Sequence, residues 1–136
     1  MIEFVLTKEM ETGIVKIDDQ HRELINRINE LWAMGSQAHS KEEIKKTLDL
    51  LGEYVVQHFD DEEKLQIQCN YPRYEIHKQE HQGFIDEFQK LKKKFSEEED
   101  ISTLALELIR TITVWVVKHI QHSDTDIGMY YNLHKE

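Results

Sequence analysis

The chain has 136 residues, of which 39% are hydrophobic and 32% charged, a composition typical of one globular domain. Its net charge of −10 argues against nucleic acid and anionic membranes as partners, because both require clustered Lys and Arg. No apolar run approaches the ~18 residues of a membrane span, and the acidic start MIEFVLTKEMETG is unlike a signal peptide. The single cysteine, Cys69, excludes a disulfide framework. We therefore expect a single cytoplasmic domain over residues 1–136, and no protein partner is predicted.

Helical periodicity covers most of the chain in four segments. The predicted helices run over residues 18–37, 41–68, 72–95 and 101–122. Ser40 with Glu43, and Ser96 with Glu99, have the spacing of a capping box and mark two helix starts. Pro72 suits the first turn of the third helix. Because short connections favour antiparallel packing, the sequence predicts an all-α, up-down four-helix bundle with an N-terminal arm.

Each predicted helix carries an apolar seam with a spacing of three and four residues, as expected for a face turned towards a bundle core. Polar residues interrupt these seams, namely His21, His58, Glu62, His77, His81 and His119. In an antiparallel bundle the start of one helix lies beside the end of the next, so all six come to one end. A lone buried imidazole usually finds a hydrogen bond. Several at one depth without a counterion are costly to bury, and a metal removes that cost.

The spacing within the seams explains how these side chains reach a common site. His58 and Glu62 are four residues apart, as are His77 and His81, so both members of each pair face the same way. Five imidazoles and two carboxylates exceed the four ligands of a tetrahedral zinc. They suit two six-coordinate ions that share bridging carboxylates and leave one position open for a small ligand such as O2.

The second carboxylate comes from Asp124, which follows His119 by five residues. Five residues advance a side chain to ~140° from the starting face of a continuous α-helix. We therefore expect the fourth helix to end near His122 and the chain to turn Asp124 back over the site. Asp126 is a weaker rival for the same role, and His122 is expected to be solvated or hydrogen-bonded rather than a ligand.

These motifs resemble those of the hemerythrin family, in particular its single-domain bacteriohemerythrins. The matching segments lie in the family's order over most of the chain, as TGIVKIDDQH (12–21), HFDDE (58–62), HKQEH (77–81) and WVVKHIQHSD (115–124). The resemblance implies two iron ions with a bridging oxo or hydroxo group, which bind O2 reversibly. Residue by residue, it implies one iron held by His77, His81 and His119, the other by His21 and His58, and bridges from Glu62 and Asp124.

Apolar neighbours of the ligands should line the open position. The candidates by position are Leu24, Phe59, Trp115, Val116 and Ile120. Such a lining slows the entry of water and protons, and for Phe59 and Trp115 it is compatible with simple core packing. One departure from the family pattern is Leu6, which stands where many members carry a tryptophan, and this bears on the arm rather than on the metal site.

Three further acids lie close to Glu62 in the sequence. Asp60, Asp61 and Glu63 point away from the direction of His58 by helical geometry, and we expect them on the solvated surface.

The predicted function is reversible O2 binding for storage, delivery or scavenging. One alternative is a di-iron enzyme that acts on peroxide or nitric oxide, but no proton donor is evident among the predicted lining residues. A second is an O2 or iron sensor that works through a separate partner, because 136 residues leave no room for an output domain. A third is a structural bundle with zinc, which the number of ligands does not favour.

Overall fold

A computed structural model describes residues 4–35, 40–97 and 102–134. Its four long helices are α1 (Val15–Gly35), α2 (Lys41–Gln68), α3 (Tyr74–Glu97) and α4 (Ser102–His119). A π-helical turn (Ile120–Asp124) continues α4 into α5 (Thr125–His134), and a short 3-10 turn (Lys8–Met10) lies in the arm. Each long helix packs against its neighbours in sequence, and α4 closes the bundle against α1. The predicted all-α up-down bundle is confirmed. None of the helices over these residues has an apolar stretch that would cross a membrane.

The two predicted capping boxes have different outcomes. Ser40 caps α2, where its Oγ accepts a hydrogen bond from the Glu43 backbone N–H at 3.1 Å. The prediction for Ser96 is wrong, because Ser96 lies in the last turn of α3 and its hydroxyl donates to the Lys92 carbonyl at 3.0 Å. A serine near a helix end can bond backward to its own helix instead of capping the next one. Glu99 lies outside the described residues.

The predicted end of the fourth helix near His122 is also wrong. The chain stays helical through His134, and the helix widens at Ile120–Asp124, where the Thr125 N–H bonds to the Ile120 carbonyl five residues back. A π turn of this kind accommodates one more residue than an α turn does.

The core is made by the predicted seams. Fully or almost fully buried members include Ile28, Leu31, Leu48, Leu51, Leu108 and Ile112, each at most 2% exposed. Burial of one such side chain stabilises the fold by about 1.5–3 kcal/mol. Seam residues nearer the helix ends, such as Leu65 and Leu91, are only half-buried. The bundle therefore supports its polar end with a tightly packed apolar middle.

The N-terminal arm packs along α1. The Phe4 N–H donates to Asn29 Oδ1 at 2.9 Å, and Asn29 Nδ2 donates back to the Phe4 carbonyl at 2.8 Å. The Phe4 ring lies 6.3 Å from the Trp32 ring, and Leu6 packs against the same core. An arm without the expected tryptophan is thus held by a backbone-to-amide pair and by two smaller apolar side chains.

The segment between the arm and α1 is tied to both α1 and α5. Buried Asp18 accepts hydrogen bonds from the Thr12 N–H at 2.7 Å, the Thr12 hydroxyl at 2.8 Å and the Gly13 N–H at 3.1 Å. Gly13 has a φ of +80°, which favours glycine. The Asn132 side chain of α5 donates to the Thr12 carbonyl at 3.1 Å. These bonds fix the position of α5 relative to the bundle.

Candidate metal centre

The seven side chains predicted as ligands lie together at one end of the bundle. None is more than 7% exposed. They come from α1, α2, α3, the end of α4 and the π turn, and they are His21, His58, Glu62, His77, His81, His119 and Asp124.

These side chains form two overlapping groups, in each of which the potential ligand atoms lie within 4.8 Å of one another. One group contains three imidazoles, from His77, His81 and His119, and the other contains two, from His21 and His58. Glu62 and Asp124 belong to both groups. The arrangement offers two neighbouring positions for a metal ion, with the two carboxylates between them.

The carboxylate of Glu62 has one oxygen on each side. Its Oε1 lies 2.8 Å from His77 Nε2 and 3.1 Å from His81 Nε2. Its Oε2 lies 3.0 Å from His58 Nε2 and 3.7 Å from His21 Nε2. This is the orientation of a carboxylate that spans two positions.

Asp124 divides its oxygens in the same way. Its Oδ1 lies 3.0 Å from His77 Nε2 and 3.2 Å from His119 Nε2, and its Oδ2 lies 2.8 Å from His21 Nε2. The π turn makes this possible, since the wider turn brings residues five apart onto one face. The expected return of Asp124 over the site is therefore achieved within a continuous helix.

The charges of the cluster shift the pKa values of its members. Burial lowers the pKa of both imidazoles, but contacts with Asp124 and Glu62 outweigh it and raise the pKa of His21 to about 9 and of His77 to about 10. Burial raises the pKa of the carboxyls, yet the charge of His58 holds the pKa of Glu62 well below its usual range. The pKa of Asp124 is also lowered, because neighbouring imidazoles outweigh burial and repulsion from Glu62. Without metal, the cluster therefore holds protons that metal ions would replace.

Several buried atoms of the cluster fit a metal better than they fit one another. His21 Nε2, Glu62 Oε2 and Asp124 Oδ1 make no hydrogen bond, although each has a cluster atom nearby. The Nε2 atoms of His77 and His119 lie only 2.8 Å apart. Buried polar atoms without partners are rare in folded proteins. These residues belong to the two overlapping groups, and imidazole with carboxylate is a donor set that suits iron.

The second ring nitrogen of three imidazoles is held by a neighbouring acceptor. His58 Nδ1 lies 2.7 Å from Gln20 Oε1, His81 Nδ1 lies 2.9 Å from Glu63 Oε2, and His119 Nδ1 lies 3.1 Å from Glu80 Oε2. When Nδ1 donates its proton in this way, Nε2 is left as the bare nitrogen that faces the site.

These acceptors were missed in the sequence, and the prediction of three solvated acids beside Glu62 is wrong for two of them. Glu63 is a hydrogen-bond partner of His81 rather than a solvated surface acid. Asp61 is half-buried and accepts from Gln20 Nε2 at 2.8 Å, so it holds the partner of His58. Only Asp60 matches the expectation, as an exposed acid. The available signal was that an imidazole that binds a metal usually donates its other ring N–H to a neighbouring acceptor.

A small cavity lies beside the two-imidazole group. It encloses about 10 Å³ of space open to the centre of a water-sized molecule, which is close to the minimum for one such molecule. The five predicted lining residues, Leu24, Phe59, Trp115, Val116 and Ile120, surround it together with Val55. Its remaining lining is formed by His21, His58, His119 and Asp124.

The two rival residues lie outside the cluster. His122 is exposed on the π turn, and Asp126 accepts a hydrogen bond from the Tyr71 hydroxyl. Neither belongs to the two groups of ligand atoms.

Comparisons with known proteins agree with this geometry. The family model described as "Hemerythrin HHE cation binding domain" matches residues 12–131. A bacteriohemerythrin from Methylococcus capsulatus is 32% identical over 120 residues, which are 88% of this chain and 89% of that protein. Another from Stenotrophomonas maltophilia is 30% identical over 85% of this chain and 73% of that protein.

Solved structures give the same result. The crystal structure of a wild-type hemerythrin has a TM-score of 0.81 at 30% identity and covers 94% of this chain and 95% of its own. A leucine-to-alanine mutant of hemerythrin has a TM-score of 0.84 at 31% identity and covers 96% of this chain and 98% of its own. Since the family model and these relatives span most of the chain, the protein belongs to the hemerythrin family.

Proposed function

We propose that the chain holds two iron ions and binds O2 reversibly at one of them. The observation that carries this proposal is the unequal division of the imidazoles. Three belong to one group and two to the other, while both carboxylates extend an oxygen into each group. An ion held by fewer imidazoles would keep an open position, and the small cavity lies beside His21 and His58.

In this proposal, His77, His81 and His119 would hold one iron, His21 and His58 would hold the other, and Glu62 and Asp124 would bridge them. An oxo or hydroxo group would complete the centre. When bound, ferrous iron would supply the electrons for reversible O2 binding.

The protein's own residues would make this binding reversible by orienting the ligands and keeping water away. Gln20, Glu63 and Glu80 hold three imidazoles with Nε2 turned inward, so little reorganisation is needed when the ions bind. The apolar lining of the cavity keeps water and protons from the open position, which slows the loss of bound dioxygen.

The apolar cavity favours binding over catalysis. A reductase for peroxide or nitric oxide would need a proton donor at the open position. Among the described residues that line the cavity, the only hydrogen-bonding side chains besides Trp115 are the proposed ligands. We accordingly propose storage, delivery or scavenging of O2 in the cytoplasm.

The test is an optical spectrum of the iron-loaded, reduced protein before and after air. We expect a visible charge-transfer band that appears with O2 and disappears when O2 is removed. A protein that isolates with zinc alone, or that oxidises at once without an oxygenated form, would contradict the proposal. Turnover assays with peroxide and nitric oxide test the enzymatic alternative directly.

The bridging role of Glu62 has its own test. Glu62→Ala should lose one bridge between the two groups, so the variant should hold fewer than two irons per chain and lack the oxygenated band. Asp60→Ala is the matched control, because Asp60 lies on the same helix, is exposed and forms an ion pair with Lys64 at 3.1 Å. Two irons and an unchanged spectrum in Glu62→Ala would disprove this assignment.

A further inference from the structure

A second, larger cavity lies outside the metal centre, between α3 and the α4–π-turn segment. It is an open groove of about 630 Å³, within the range of about 300–1,000 Å³ typical of small-molecule sites. Its walls are formed by Glu80, Arg110, Thr111, Val114, Trp115, Lys118, His119, His122 and Ser123. The groove is thus large enough for an organic molecule, whereas the inner cavity is not.

The groove is locally cationic in a protein whose net charge is −10. Arg110 and Lys118 are both exposed on α4, and neither forms an ion pair or hydrogen bond with another residue in the described part of the chain. The acid in the groove, Glu80, is engaged by His119 Nδ1 at 3.1 Å and by the Ser123 hydroxyl at 2.7 Å. Two unpaired cations on either side of Val114 therefore favour an anionic ligand.

Trp115 connects the groove to the metal centre. It lines both the groove and the inner cavity. Its ring is stacked on His119, with centroids 4.3 Å apart and an interplanar angle of 15°. His119 itself forms part of the groove wall, so a molecule bound there would lie against a proposed iron ligand.

We propose that this groove binds flavin mononucleotide, whose reduced form delivers electrons to the oxidised centre. One cation, Arg110 or Lys118, would bind the phosphate. The other would face the N1–C2=O edge of the isoalloxazine ring, where negative charge collects on reduction. The ring itself would lie against Val114 and the edge of Trp115, whose ring packs between His119 and Phe84.

The electron balance selects a flavin. One anionic flavin hydroquinone, which carries a proton on N5 but none on N1, gives two electrons and becomes the quinone, both irons pass from ferric to ferrous, and the N5 proton leaves to water. A reduced nicotinamide dinucleotide also combines a planar ring with anionic phosphates, but it donates a hydride, which single-electron metal ions do not accept. The delivery role rests on the proposed function, whereas the binding site does not.

Binding is tested by titrating the iron-loaded, oxidised protein with flavin mononucleotide and with riboflavin, which differ only in the phosphate, by calorimetry. We expect flavin mononucleotide to bind about tenfold more tightly, as one charge-assisted contact implies. One of the variants Arg110→Ala and Lys118→Ala should bind the two flavins equally, because it loses the phosphate contact. The other should bind both flavins more weakly, because it loses the contact with the ring. Lys64→Ala, an exposed cation on α2, is the control and should bind both flavins as the wild type does.

Equal affinity for the two flavins in the wild type, or unchanged affinity in the Arg110→Ala/Lys118→Ala double variant, would overturn the proposal. In the second arm, reduced flavin mononucleotide should reduce the ferric protein faster than reduced riboflavin, and the double variant should lose the difference. If instead the double variant slows reduction by an acidic electron-transfer protein and leaves reduction by the flavins unchanged, the groove binds a protein and the flavin proposal is wrong. Flavin binding and the O2 spectrum are separate measurements, so either proposal can fail alone.

Discussion

Replacement of Gly128 by alanine should disturb both the fold and the metal centre. Gly128 is buried in α5, and a Cβ added there would lie 2.3 Å from the Thr12 carbonyl oxygen and 2.8 Å from the Thr12 Cα. Both atoms belong to the backbone, so no side-chain rotation relieves the contact. Thr12 cannot move freely, since Asp18 holds it through two hydrogen bonds of 2.7 and 2.8 Å and Asn132 through a third of 3.1 Å.

The magnitude follows from the cost of overpacking, about 1–3 kcal/mol for extra methyl groups in a packed interior. A backbone obstacle at this distance places Gly128→Ala near the upper end, about 3 kcal/mol, which lowers the Tm by roughly 10 °C for a domain of this size. The alternative to strain is a shift of α5. Because Asp124 lies one turn before Gly128, such a shift would move a proposed bridge and weaken the binding of both ions.

The chain offers a matched control in Gly83→Ala. Gly83 lies in the exposed interior of α3, and a Cβ there would meet nothing within 4 Å. This substitution should stabilise the protein by about 0.5–1 kcal/mol through helix propensity alone. Urea denaturation of the metal-free variants and iron content after loading are the measurements. A Gly128→Ala protein with wild-type stability and two irons would refute the argument that backbone contact fixes α5.

Three further outcomes are expected. Glu80→Ala removes the acceptor of His119 Nδ1 and should weaken metal binding about 10–100-fold in a chelator competition; unchanged affinity would show that Glu80 does not orient the ligand. The pKa values of His21, about 9, and His77, about 10, lie above the unfolded value of ~6.5. Their stabilising contribution is therefore complete below pH ~6.5 and lost as the pH rises through about 9 and 10, so the urea midpoint of the metal-free protein should fall over that range, and a constant midpoint would contradict this. Ser40→Ala should cost about 1 kcal/mol in the same denaturation assay, because it removes the cap of α2; no change would mean that water satisfies the helix start equally well.

The sequence predicted the bundle because its information is local and periodic. Apolar residues three and four apart determine which face of each helix is buried, and antiparallel packing then brings the interrupting histidines to one end. Glu63 escaped this reasoning. Helical geometry turns the Glu63 side chain away from His58. It nevertheless points towards the neighbouring helix, where His81 Nδ1 lies 2.9 Å from the Glu63 carboxylate. Which side chains meet between two helices depends on how the helices are arranged around the bundle axis. The periodicity of a single helix does not determine that arrangement.

The π turn could not be predicted for a different reason. In an uninterrupted α-helix, the residue four after His119 shares its face, and that residue is Ser123. The π turn instead presents Asp124 to three imidazoles, while the Ser123 hydroxyl bonds to Glu80 on α3 at 2.7 Å. No local propensity distinguishes these registers, because both are helical. Tertiary contacts decide between the two registers, because they stabilise a carboxylate at the buried position and a hydroxyl at the groove. A ligand pair five residues apart is therefore compatible with an unbroken helix wherever buried imidazoles stabilise the wider turn.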